Sequence, residues 1–200
     1  MRRGSFRQDY ASSGRYSRES FFDALREVWL APGRFFRELD PGGGYIRPAL
    51  FVSAVLYLNI ILEAALSAIW NVDFQYSLIY APLVGLVVAV VLGPLLVAGL
   101  AALVLVVMDG APSGTKFGPV FRALGYVSGI GIVIWIPFGP FLAIPYGAVV
   151  ATVAVKETLG VGWSRAATAT LVPLGAILLI MLLLTGATET YELLRSPAGG

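Results

Sequence analysis

The sequence predicts an all-α membrane protein, with five transmembrane helices preceded by a short interfacial amphipathic helical segment. Three observations carry this. Hydrophobic residues make up 58% of the 200-residue chain and charged residues 13%, against roughly 45–50% and about 25% in ordinary soluble domains. Apolar runs that approach or exceed the ~20 residues of a bilayer-crossing helix recur after Pro48. The charges are also unevenly spread, since nine of the fourteen Lys and Arg lie at or before Arg47.

Residues 1–19 are rich in Arg, Ser, Tyr and Gly without apolar periodicity, and are expected to form a disordered basic tail. No apolar run follows Arg2-Arg3, so a secretory or twin-arginine signal is not expected. Helix signals begin at Ser20, an N-cap residue with Asp23 three positions on. Phe21, Leu25, Val28 and Trp29 then share one helical face, with Asp23, Arg26 and Glu27 away from it. Pro32 ends that helix or starts the next, in which Phe35, Phe36 and Leu39 alternate with Arg34, Arg37 and Glu38. Pro41 and the glycines at 42–44 break the pattern before Arg47. Two such helices hold too little core to stand alone, since a single core becomes dependable at about 70–80 residues. Residues 20–46 are therefore expected to lie on the membrane. Phe21, Trp29, Phe35 and Phe36 would enter the headgroup boundary while Arg34 and Arg37 reach the phosphates. The alternative packs the same apolar faces under the transmembrane bundle.

Residues 47–187 should hold the five spans. The first is 48–70, with Trp70 as an interfacial anchor. The second is 85–108, after a shallow segment from 79 and with Pro94 bending the helix. The third and fourth, 119–137 and 141–155, meet across the uncharged turn PFGP, and the fifth is 166–187. Spans three and four are short, which leaves tilt or a partly sunken hairpin open. Residues 188–200 form a short outer tail. With the N-terminus inside, thirteen of the fourteen basic residues fall on the inner side, Lys116, Arg122, Lys156 and Arg165 among them, and only Arg195 falls outside. The positive-inside rule then places the N-terminus in the cytoplasm and the C-terminus outside a cell membrane. That split needs an odd number of crossings.

The chain has no Cys and no His, which excludes disulfides, thiolate chemistry, Ser-His or Cys-His catalysis and the usual zinc sites. No phosphate-binding Gly-loop and no cleft-like carboxylate pair is present. A non-enzymatic protein with no cofactor, metal or nucleic-acid partner is expected. Asn59, Glu63 and Ser67 recur every four residues in the first span and form one polar stripe. A carboxylate facing lipid is costly. Glu63 is therefore a helix contact, an outer-interface residue reaching water, or a proton or cation site lining a path with Asn59. In the third span Gly125, Tyr126, Ser128, Gly129 and Gly131 make a small-residue face that permits close helix approach. Tyr126 either packs there or offers its hydroxyl to Glu63 or a ligand. Arg122, Lys156 and Arg165 fall at the inner ends of three spans, as a shared site for an anionic headgroup or as plain positive-inside charge.

Four stretches in order, VWLAPGRFFREL, FGPVFRALGYVSG, IPFGP and VKETLGVGWSRAATATLVP, resemble the Yip domain family over residues 29–173, in a form similar to its prokaryotic branch. Eukaryotic members are five-span Golgi and endoplasmic-reticulum proteins that interact with Ypt/Rab GTPases. The resemblance matches Pro32 and Phe36 to the pre-membrane motif, Gly125 and Tyr126 to the family's GY pair, and Pro137 to the turn proline. Glu157, Gly160, Arg165 and Ala166 match the connection between the fourth and fifth spans, and Pro173 the fifth-span proline. Leu159 stands where relatives often carry a His, so the resemblance implies no His-dependent role; the DLYGP-like motif of eukaryotic members is absent, so Rab-type binding is not among what it implies. It implies membrane organisation or trafficking-like docking of inner-leaflet anionic lipid, a protein partner or a second copy. The competing reading is a carrier or channel lined by Asn59 and Glu63.

Overall fold

A computed structural model describes residues 20–40, 42–69, 79–110 and 114–195. The expected tail at 1–19, the Trp70 anchor and residues 196–200 lie outside them. The elements in order are α1 (Phe21–Leu30), α2 (Pro32–Glu38), α3 (Ile46–Ile69), α4 (Ala81–Asp109), α5 (Gly114–Val127), a 3-10 segment (Ser128–Val133), α6 (Gly139–Leu159) and α7 (Trp163–Arg195). Four segments are long and apolar enough to cross a membrane: α3, α4, α6 and Trp163–Leu183 of α7.

The expected third span is corrected. Residues 119–137 are not one helix, because α5 stops at Val127, the backbone tightens into the six-residue 3-10 segment, and a turn follows. Gly125, Gly129 and Gly131 weaken the α-helix there, while Lys116, Pro119 and Arg122 deny α5 a continuous apolar run. The second span is also longer than expected. Residues 81–84 belong to α4 itself, whose 29 residues rise about 43 Å, and Pro94 is carried inside the helix. α7 continues past 187 to Arg195.

Small residues set the helix register. α3 and α4 run antiparallel, with a Cβ placed at Gly85 meeting Ile60 at 2.6 Å and one at Gly93 meeting Val52 at 3.1 Å. Gly85, Ala89, Gly93, Val97 and Ala101 recur every four residues along the buried face of α4. α3 and α5 run parallel: a Cβ at Gly125 would lie 2.9 Å from Pro48 Cβ, and one at Gly129 3.0 Å from the Phe51 ring. α5, the 3-10 segment and α6 form an antiparallel hairpin, with Gly147 facing Ile130. Its turn is tight. Phe138 has φ 67, Gly139 N–H donates to the Ile136 carbonyl at 2.7 Å, and a Cβ at Gly139 would strike the Val133 carbonyl. The core between α4, α5, α6 and α7 is built from Val104, Leu105, Val120, Leu124, Ala151, Val155 and Ala166.

Candidate functional site

Ser20 starts α1 as read from sequence, but through its backbone: its carbonyl accepts the Asp23 and Ala24 N–H groups at 3.0 and 3.1 Å. Pro32 is the first residue of α2, where its missing N–H costs nothing. The two helices form a bent unit whose corner is held by Trp29. The indole Nε1 donates to the Gly129 carbonyl at 3.1 Å, the Tyr146 hydroxyl donates to the Trp29 carbonyl, and the Trp29 and Tyr146 rings lie 5.4 Å apart.

The expected lipid anchors are corrected here. Phe35 and Phe36 are 2% and 1% exposed. Phe35 packs edge-on against Phe36 at 5.1 Å and Tyr126 at 5.2 Å. Phe21 meets Phe51 at 5.0 Å. These rings have protein on them, so the amphipathic face of α1–α2 is turned into the bundle. What remains outside on α1 is Phe22, Arg26 and Leu30, four residues apart, together with Asp23, all exposed, Phe22 at 72% and Leu30 at 73%. That mixed apolar and basic stripe was legible in the spacing of the three residues. Arg34 and Arg37 also stay on the outer face, each holding one acid: Arg34 with Glu27 at 3.3 Å and Arg37 with Glu157 at 3.2 Å.

The expected shared site of Arg122, Lys156 and Arg165 is split among separate partners. Buried Arg122 donates to the Gly43 carbonyl. Lys156 pairs with Glu157 at 2.5 Å and lies 5.1 Å from the Trp163 ring centre. Arg165 pairs with Asp109 at 3.2 Å and donates to the Met108 carbonyl at 3.1 Å. Asp109 also takes Lys116 at 2.7 Å. Two acids thus organise this end of the bundle. Asp109 ties the end of α4 to α5 and α7, and Glu157 ties the end of α6 to α2. Sequence reading missed Asp109, because its partners lie 7 and 56 positions away.

Of the alternatives open for Asn59 and Glu63, the geometry favours a residue outside the bundle over a lined path. Asn59 Nδ2 donates to the Val55 carbonyl of its own helix at 2.9 Å. Glu63 is exposed on the outside of the bundle instead of facing its interior. Tyr126 packs between Phe35 and Phe51, with the latter at 5.1 Å, close to the level of Pro48. Glu63 is fifteen residues further along α3, about 22 Å away by helix rise. Among the described residues no group of three acidic side chains is placed to hold a metal ion.

The family model of the Yip1 domain matches residues 26–185. The chain belongs to the Yip1 domain family. No curated protein and no solved structure matches the chain at a significant level. Within the Yip1 domain the matched motif positions are joints between elements. Pro32 opens α2, Gly125 lets Pro48 approach, and Glu157 holds both Arg37 and Lys156. Gly160 caps α6 in the left-handed region at φ 63. Ala166 and Pro173 are buried on α7.

Proposed function

We propose that this Yip1 domain is a non-enzymatic integral membrane protein that docks anionic lipid at its inner face and organises the membrane there. The N-terminus lies in the cytoplasm and the C-terminus outside a cell membrane. The observation that carries the reading is the outer face of α1–α2. Phe22 and Leu30 flank Arg26 on one stripe, with exposed Arg34 and Arg37 beside them, and Trp29, Phe35 and Phe36 hold that face rigidly against the bundle. Apolar side chains set between guanidinium groups suit the boundary where acyl chains meet phosphates. Juxtamembrane basic residues gain about 1 kcal/mol each near an anionic surface. The thirteen-to-one charge split supports the orientation.

The test is the variant Arg26→Gln/Arg34→Gln/Arg37→Gln, purified from membranes beside the parent protein. Phosphatidylglycerol and phosphatidylcholine retained by each are then quantified. The parent should retain phosphatidylglycerol in preference and the variant should lose that preference. Equal retention of both lipids by the parent, or an unchanged preference in the variant, refutes docking through this face.

A further inference from the structure

We infer that the Yip1 domain thins the bilayer on one side, where α1 holds lipid headgroups and water about 20 Å above the Asp109 end of the bundle. This goes beyond the docking proposed above. It rests on that reading only for the orientation, which makes the thinned leaflet the inner one.

Heights follow from the helix register. Asp109 marks one end of the bundle, since it pairs with Lys116 near the start of α5 and with Arg165 near the start of α7. From Asp109 up to Gly93, α4 rises about 24 Å, and Gly93 abuts Val52 of α3. From Lys116 up to Gly129, α5 and the 3-10 segment rise about 20 Å, and a Cβ at Gly129 would lie 3.0 Å from the Phe51 ring. The two routes agree, and put Phe51, Val52 and Gly129 at one level.

α1 lies along this level. Phe21 at its start meets the Phe51 ring at 5.0 Å, Leu25 lies 3.0 Å from the Cβ position of Gly129, and Trp29 near its end donates to the Gly129 carbonyl at 3.1 Å. The helix therefore runs across the bundle axis. Its outward face carries Asp23 and Arg26 between Phe22 and Leu30, all four exposed. It cannot slide toward the Asp109 end, because the buried Phe35 and Phe36 fix α1–α2 to the bundle.

The charge-free lengths of the helices differ in the same sense. α4 has no charged residue from 81 to 108, about 42 Å. α7 has none from 166 to 188, about 34 Å. α3, which α1 crosses, has exposed Arg47 and Glu63 about 24 Å apart. From Phe51, at the level of α1, to Glu63 is only about 18 Å. A hydrocarbon core is about 30 Å thick. The side made by α4 and α7 can span it, and the side made by α1 and α3 falls short. Both limits of the short side lie on one helix, so tilting the bundle does not lengthen it.

An exposed Asp and Arg in hydrocarbon are costly, and water and headgroups move toward such groups with local thinning of the bilayer. A short apolar stretch is accommodated in the same way. Phe22 and Leu30 suit the raised boundary, since apolar side chains beside a guanidinium group fit the junction of acyl chains and phosphates. The bilayer is then thick beside α4 and α7 and thin beside α1.

The chain has no cysteine, so single cysteines map the boundary around the bundle. Phe22→Cys and Leu30→Cys sample both ends of α1 and leave every charge in place. Gly99→Cys and Leu96→Cys sample the exposed face of α4, about 15 and 20 Å above Asp109. A side chain at Gly99 meets nothing within 4 Å. Ser164→Cys, exposed beside Arg165, is the control in water. A membrane-impermeant maleimide is applied to intact cells, to permeabilised cells and after detergent dissolution.

Both α1 variants should label together with Ser164→Cys on permeabilisation, and both α4 variants only after dissolution. Gly99, the lower residue, is then in hydrocarbon while α1 above it meets water, an inversion that a flat boundary cannot give. Silence of both α1 variants until dissolution overturns the inference, because the bilayer is then unthinned at α1. Labelling of Gly99→Cys on permeabilisation also overturns it, because the boundary then lies level with α1 all round. Labelling of the α1 variants and Ser164→Cys in intact cells overturns the orientation and the inner-face docking, and leaves the thinning in place in the opposite leaflet. If this pattern holds but the parent shows no preference for phosphatidylglycerol, the docking alone is lost.

Discussion

Phe35→Ala separates an aromatic face that packs on protein from one that rests on lipid. Phe35 is 2% exposed and makes edge-on contacts with Phe36 and Tyr126, at 5.1 and 5.2 Å. Truncating a buried Phe to Ala typically costs about 3–5 kcal/mol, and each aromatic pair adds about 0.5–1.5 kcal/mol beyond area alone. With two such pairs lost, the upper half of the first range is expected. Phe22→Ala is the matched control, because that ring is 72% exposed and surface changes stay within about 0.5 kcal/mol. Both variants are unfolded thermally in detergent micelles, where no bilayer remains to be anchored to. Phe35→Ala should melt well below the parent, and Phe22→Ala at the parent's temperature. If the two variants melt together, Phe35 faces the solvating phase and the docked arrangement of α1–α2 is refuted.

Two further tests bear on the joints. At the hairpin turn, Gly139→Ala places a methyl against the Val133 carbonyl, a backbone neighbour that cannot rotate away, and should cost about 1–3 kcal/mol as overpacking does. Gly147→Ala meets Ile130 at an ordinary 3.6 Å and should gain up to about 1 kcal/mol of helix propensity; the same melting assay must rank the two on opposite sides of the parent. Glu157→Gln removes the acid shared by Arg37 and Lys156. The Arg37 partner is exposed, so the loss should be about 1 kcal/mol or less and should shrink in high salt. A salt-independent loss would contradict that account.

The membrane class and the positions of the first, second, fourth and fifth spans were legible because long apolar runs have few alternatives. The third was misread because composition cannot show that a helix changes pitch. Residues 119–137 are apolar enough in aggregate, yet the glycines at 125 and 129 serve close contact with Pro48, Phe51 and Leu25, and the α-helix ends between them. The aromatic face of α1–α2 was correctly drawn and given the wrong partner. A period of 3.6 records that a face is apolar, not whether lipid or protein covers it. Arg122, Lys156 and Arg165 looked convergent because each adjoins the end of an expected span, while Asp109 and Glu157, the acids that divide the cations there, are far away in sequence from several of them.

Three of the four family-like stretches meet through the N-terminal helices. Trp29, from VWLAPGRFFREL, donates to Gly129 within FGPVFRALGYVSG. Tyr146, six residues after the IPFGP turn, donates back to Trp29. Arg37 reaches Glu157 of VKETLG. Motifs far apart in sequence therefore constrain a single contact region, which explains why none of them resembles a ligand-binding signature by itself. It also limits how the N-terminal helices can work. A segment whose largest side chains complete the core beside the 3-10 helix cannot act as a detachable arm, since release would uncover Phe51, Tyr126 and Gly129 together. On the docking proposed above, a ligand would use the face left outward, and binding at Arg26, Arg34 and Arg37 would engage the whole bundle as one body.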